Sequence, residues 1–123
     1  MAGNSEANLI NQETIEQIIK DTSLEVLPML IESYLEESEL RTQNIVNAID
    51  ADDYQTLEFE THTLGSTSLA MGATALGLLA RKMEASCLNG APQEALPFRN
   101  ELEELAKTSR EALLAIQTRL QQG

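Results

Sequence analysis

Across 123 residues, an apolar share of 42% and a charged share of 23% fit one domain with one packed core. Twenty Asp plus Glu against eight Lys plus Arg leave a formal charge of −12, a field that repels nucleic acid and anionic membrane. Such acidity serves solubility alone or docking to a partner with a basic or neutral face.

Residues 1–8 read as a loose polar tail with neither the basic start nor the apolar core of a secretory signal. A short helix follows from about Asn11 to Lys20, with Ile15, Ile18 and Ile19 on one face, and Asp21-Thr22-Ser23 interrupts it. Ser23 is the expected N-cap of the second helix, with Glu25 favourable at the positive end of the dipole and Pro28 close to the start. That helix should run to about Asp50 and bury Leu27, Ile31, Tyr34, Ser38, Arg41, Ile45 and Ala48 at alternating spacings of three and four. Asp50-Ala51-Asp52-Asp53 is a short acidic connection and the N-cap region of the third helix. The third helix carries the stripe Tyr54, Leu57, Thr61, Leu64, Ser68 and Met71, and Gly72 fits its stop.

A fourth helix, about Ala73 to Leu88, should turn Leu76, Leu79, Met83 and Cys87 inward, and Asn89-Gly90-Ala91-Pro92 forms a turn. The last helix, about Glu94 to Leu120, repeats Phe98, Leu102, Leu105, Ser109, Ala112, Ile116 and Leu120, and Pro97 either bends it or marks its true start. Few stretches are β-branched or alternate with period two, so no strand is expected. The pattern predicts an all-α fold for residues 9–123: an antiparallel up-down four-helix bundle with the short N-terminal helix covering one end. A bundle of this size can bury its own stripes, so a monomer is the simplest expectation. Cys87 is the only cysteine, so no internal disulfide can form, and its thiol reads as packing rather than redox chemistry. No apolar run approaches the ~20 residues of a membrane span, and a soluble, cytoplasmic protein is expected.

His62 is the only histidine. It lies beside the core stripe of the third helix, and its neighbours at three- and four-residue spacing are Glu58, Phe59, Gly65 and Ser66. Glycine inside a helix costs roughly 1 kcal/mol against alanine, so Gly65 invites an explanation in close approach by a neighbouring helix or a partner. A lone helical histidine is structural by default; small neighbours shift the balance toward a reactive imidazole.

The run His62-Thr63-Leu64-Gly65-Ser66-Thr67-Ser68-Leu69-Ala70-Met71-Gly72-Ala73 resembles the phosphorylation motif of histidine-containing phosphotransfer (HPt) domains. His62, Leu64, Ser68, Gly72 and Ala73 match in register. Leu76, Leu79, Met83 and Glu84 look like the family's downstream apolar and Glu/Gln positions, Leu30 to Leu35 like its aromatic-Leu segment, and Asp52 like its acidic turn. The resemblance runs from about Ile15 to Leu120 and is closest to stand-alone relay proteins of the LuxU type, although a domain cut from a hybrid kinase would look similar. Two positions depart: Gly65 stands where the family usually has lysine, and Ser66 where it usually has glycine.

The resemblance implies that His62 accepts a phosphoryl group on its outward nitrogen, and that Glu84 holds the other nitrogen or is a solvated surface residue. Arg81, three residues before Glu84, either replaces the missing lysine or is an exposed charge or ion-pair partner of Glu84. Phe59, Gly65, Ser66 and Leu69 would form the docking face, unless Leu69 packs inside. The implied partners are receiver domains of response regulators, which bring an aspartate and Mg²⁺, and a hybrid sensor histidine kinase. No cofactor of its own is implied, and no phosphate loop or nucleotide fingerprint is present. The expected role is a phosphocarrier in a two-component phosphorelay. The alternative is a non-phosphorylated adaptor with the same surface. Metal or hydrolytic chemistry fits poorly, because Phe59 occupies the position that a Glu-x-x-His site would fill with glutamate.

Overall fold

The computed structural model describes residues 9–122, and the tail expected at residues 1–8 lies outside them. The described residues form α1 (Gln12–Asp21), α2 (Leu27–Asp50), α3 (Tyr54–Met71), α4 (Thr74–Leu88) and α5 (Arg99–Gln122), with two single 3₁₀ turns before α5. No strand occurs among them.

Cross-helix bonds fix the directions. Tyr34 meets Ser68 and Arg41 meets Glu60, so α2 and α3 run antiparallel. His62 meets Glu84 and Ser66 meets Arg81, so α3 and α4 do the same. Gln117 reaches Pro28 while Arg99 reaches Asp50, which makes α5 antiparallel to α2 and closes the up-down bundle. One core layer gathers Ile45, Leu57, Leu64, Leu76, Met83 and Leu102. The other gathers Ile31, Tyr34, Met71 and Leu113 with Leu9, Ile10 and Ile15 of the N-terminal segment, so α1 covers that end. Gly72 joins the two regions: its carbonyl accepts from the Asn11 N–H at 2.7 Å, and its φ of +90° ends α3 in a left-handed cap.

The helix boundaries differ from the sequence reading in two places. Ser23 does not cap α2; its Oγ accepts from the Val26 N–H at 3.2 Å in the turn before it, and α2 starts at Leu27 with Pro28 in its first turn. Proline needs no donor partner there, so the start is set by Pro28 rather than by a side-chain cap. α5 starts at Arg99; Pro92 opens the first 3₁₀ turn and Pro97 is the second residue of the other, Leu96–Phe98, which resolves Pro97 as a marker of the true start.

Core membership also shifts. The inward side of α5 is Leu102, Ala106, Ser109, Leu113 and Ile116, so Ala106 and Leu113 displace Leu105 and Ala112 from the centre. A strict seven-residue repeat drifts about 20° per heptad on a straight helix, enough to exchange such neighbours. In α2, Thr42 is buried in place of Arg41, whose guanidinium sits at the edge between Glu37 and the buried Glu60. A buried carboxylate needs a counter-charge and donors, and Arg41 and Asn44 supply both. Thr42 and Thr61 return their hydroxyls to the carbonyls of Ser38 and Leu57, so both can be buried. Cys87 is half-buried, and burial pushes its thiol up in pKa.

Candidate functional site

Asp53 starts the helix that carries the site. Its carboxylate accepts from the Thr56 N–H at 3.2 Å and the Thr56 hydroxyl at 2.7 Å, and these bonds hold its pKa below the ordinary carboxylate value. Leu57, Thr61, Leu64 and Ser68 anchor α3 in the core. With that stripe buried, His62 is turned to the seam with α4, and its side chain is 57% exposed.

The Nδ1 atom of His62 lies 2.8 Å from Oε2 of Glu84, whose side chain is only 13% exposed. A carboxylate can only accept, so Nδ1 carries the proton and, in the neutral ring, Nε2 keeps a free lone pair. Glu84 is therefore no solvated surface residue; it is seated against the ring.

Gly65 follows His62 by one helical turn and is buried. The aliphatic chain of Arg81 lies across it: a Cβ there would stand 3.0 Å from Arg81 Cδ and Nε. The close approach invited by a mid-helix glycine is made by this neighbouring helix, and the surface at that point belongs to Arg81 rather than to Gly65. Arg81 is exposed and its Nη2 donates to Ser66 Oγ at 3.2 Å, with no ion pair to Glu84 within 4.0 Å among the described residues. Ser66 is half-buried beneath that contact.

Phe59 is 60% exposed, one turn before His62. Leu69 is half-buried and packs on Gly77, where a Cβ would come within 2.7 Å of its Cγ. The inward and the docking readings of Leu69 each hold for part of the side chain. Two residues went unnoticed in the sequence: Leu78, 58% exposed, and Leu88, 63% exposed. They flank Arg81 and Glu84 on the same side of α4, at spacings of three and four. Their signal was available: both are apolar and fall off the inward stripe of Leu76, Leu79 and Met83. The resulting surface is a polar centre with apolar flanks, a composition suited to protein docking.

A groove of about 860 Å³ between α1, α2 and α3 is lined by residues including Leu30, Tyr34, Leu40 and Met71, and it contains neither His62 nor Glu84. Among the described residues no group of three or more His, Cys, Asp and Glu side chains is placed to hold a metal ion. No helix among them is long and apolar enough to cross a membrane.

The family model for the Hpt domain matches residues 29–122. The fold is similar to the crystal structure of histidine-containing phosphotransfer protein B (HptB) from Pseudomonas aeruginosa PAO1, with a TM-score of 0.85 over 92% of this chain and 97% of that one. The two sequences are 22% identical, so this likeness speaks to the fold. No curated protein matches the chain significantly.

Proposed function

The chain belongs to the Hpt domain family, and on that premise we propose that it is a phosphocarrier that receives a phosphoryl group on His62 from a receiver-domain aspartate and passes it to another receiver. The observation that carries this reading is the 2.8 Å contact of His62 Nδ1 with Glu84 beneath a ring that is 57% exposed. It leaves one nitrogen as a nucleophile and holds the other from behind.

In the transfer, the Nε2 lone pair attacks phosphorus in line with the aspartyl oxygen. A P–N bond forms as the P–O bond breaks, and the aspartate leaves as a carboxylate. The ring gains positive charge, and the Glu84 carboxylate offsets it through the Nδ1–H bond. In the reverse step the ring returns to its neutral tautomer, with the proton still on Nδ1, when Nε2 loses the phosphoryl group. Arg81 supplies guanidinium donors to the phosphoryl oxygens.

A receiver would bring the Mg²⁺ whose charge offsets that of the phosphoryl oxygens; this chain contributes the nucleophile, its orientation and the docking surface. Phe59, Ser66 and Leu69 on α3 and Leu78 and Leu88 on α4 surround the nucleophile and support docking of a receiver. In this role the protein acts in the cytoplasm as a monomer, downstream of a hybrid sensor kinase. Incubation with a phosphorylated receiver should produce label on this chain that survives alkali and is lost in acid, and His62→Gln should abolish it. Receiver binding with no label on the wild-type chain would replace the carrier with the adaptor.

A further inference from the structure

We propose that Gly65 and Ser66 are positioning residues for Arg81: together they deliver from α4 the cation that faces the phosphoryl group. The proposal rests on the phosphocarrier reading above and concerns how its charge is supplied.

Three independent observations converge. The first is steric. A Cβ built at Gly65 would stand 3.0 Å from Arg81 Cδ and Nε and 3.1 Å from Cγ, so the Arg81 chain lies flat on bare backbone. A Cβ at position 65 makes the Arg81 chain give way by a few tenths of an ångström, and a longer side chain competes for its place. A glycine in mid-helix is a net cost to stability, and here the vacancy has an occupant.

The second is directional. The Ser66 hydroxyl accepts from Nη2 at 3.2 Å, which fixes the far end of a side chain that would otherwise sample many rotamers. Ser66 lies four residues after His62, and Arg81 lies three before Glu84, the residue that holds the imidazole. Ser66 and Arg81 each stand about one helical turn, roughly 5 Å along the axis, from His62 and Glu84 on their own helices.

The third is electrostatic. Arg41 is matched by Glu37 and Glu60, Arg99 by Asp50 and Glu103, and Lys82 stacks over Phe98. Arg81, by contrast, is held by a neutral hydroxyl and makes no ion pair within 4.0 Å among the described residues. Its guanidinium is exposed and outside any ion pair among the described residues, in a protein of net charge −12. A phosphoryl group arriving on His62 then finds in Arg81 a cation with donors to spare, against the field of a strongly acidic protein.

Lysine at position 65 and arginine at position 81 would compete for one space, so the two positions should be coupled. The test is a double-mutant cycle read by rapid-quench transfer from a phosphorylated receiver, with helicity and melting temperature monitored for each variant. Arg81→Ala should slow the transfer step roughly tenfold, the equivalent of one charge-assisted hydrogen bond, with little change in receiver KM. Gly65→Ala and Ser66→Ala should each slow it about threefold when Arg81 is present, and Gly65→Ala should leave the Arg81→Ala protein unchanged. Gly65→Lys alone should stay slow, whereas Gly65→Lys combined with Arg81→Ala should recover most of the rate.

Arg81→Ala transfer within twofold of wild type, with His62 still labelled, would overturn the proposal and leave the carrier reading intact. So would equal losses from Gly65→Ala in both backgrounds, since the glycine would then act on docking or packing and not through Arg81. Failure of the wild-type chain to take label would count against the carrier reading itself. Both alanine substitutions favour helix, so folding is not at risk in the decisive variants.

Discussion

Replacing Glu84 with alanine isolates what the carboxylate does for the imidazole. In the structure it makes a bond of 2.8 Å to Nδ1, between a side chain 13% exposed and a ring 57% exposed. Hydrogen bonds to charged groups are worth about 1.5–3 kcal/mol, and the half-exposed ring argues for the lower end. About 1.5 kcal/mol lost from the transition state slows transfer roughly tenfold. The ground state loses less, because the positive charge on the ring develops only as the P–N bond forms, so the effect should fall on the transfer rate more than on receiver affinity. Glu84→Gln keeps an oxygen to accept from Nδ1–H but removes the charge, so its rate should lie between alanine and wild type. The assay is single-turnover transfer from a phosphorylated receiver at saturating receiver concentration. Glu84→Ala transfer at the wild-type rate, with His62→Gln inactive, would refute the orienting role. A glutamine variant as slow as alanine would place the whole effect in charge and none in tautomer control.

Other substitutions probe the scaffold around the site. Tyr34→Phe removes a buried bond of 2.6 Å to Ser68 and should cost about 1 kcal/mol in urea unfolding. Burial holds the Tyr34 phenol above its ordinary value of 10.0, so the folded state keeps the proton longer than the unfolded chain. That part of stability is complete below the ordinary tyrosine value and is lost as pH rises through the folded value; Tyr34→Phe should lack this part of the alkaline slope. Gly72→Ala forces a side chain into φ +90° with the Asn11 carbonyl 3.1 Å away, and should destabilise by about 1–2 kcal/mol, seen as a lower melting temperature. Phe59→Ala, at a residue 60% exposed, should leave stability within about 0.5 kcal/mol and weaken receiver binding about fivefold by calorimetry. The Asp53 cap has a depressed carboxyl pKa, so its contribution is present at neutral pH and is lost on acidification through that folded value; Asp53→Asn should flatten the acid limb of a melting-temperature profile.

The helices of this protein are written in local signals. Stripes such as Leu57, Thr61, Leu64 and Ser68, the cap at Asp53 and the left-handed stop at Gly72 are decided within a few residues of chain, so periodicity and turn chemistry disclose them. The expected all-α fold and the place of His62 beside the core stripe follow from the same information. Where local signals were ambiguous, tertiary packing chose. It rotated α5 to bury Ala106 and Leu113, and it moved Arg41 to the bundle edge because a buried carboxylate, Glu60, required a cation.

The site itself divides along that line. That His62 would be reachable was legible, because its own helix turns it off the core stripe. What stands behind and beside it was not settled by spacing. Glu84 is 22 residues away, and Arg81 had three partners open to it on sequence grounds: a phosphoryl group, solvent or Glu84. Only the antiparallel docking of α3 on α4 seats the carboxylate on Nδ1, lays the Arg81 chain over Gly65 and ties its guanidinium to Ser66. Helical periods specify which side of a helix a residue occupies; the register between two helices is set by the side chains that interlock along their shared seam.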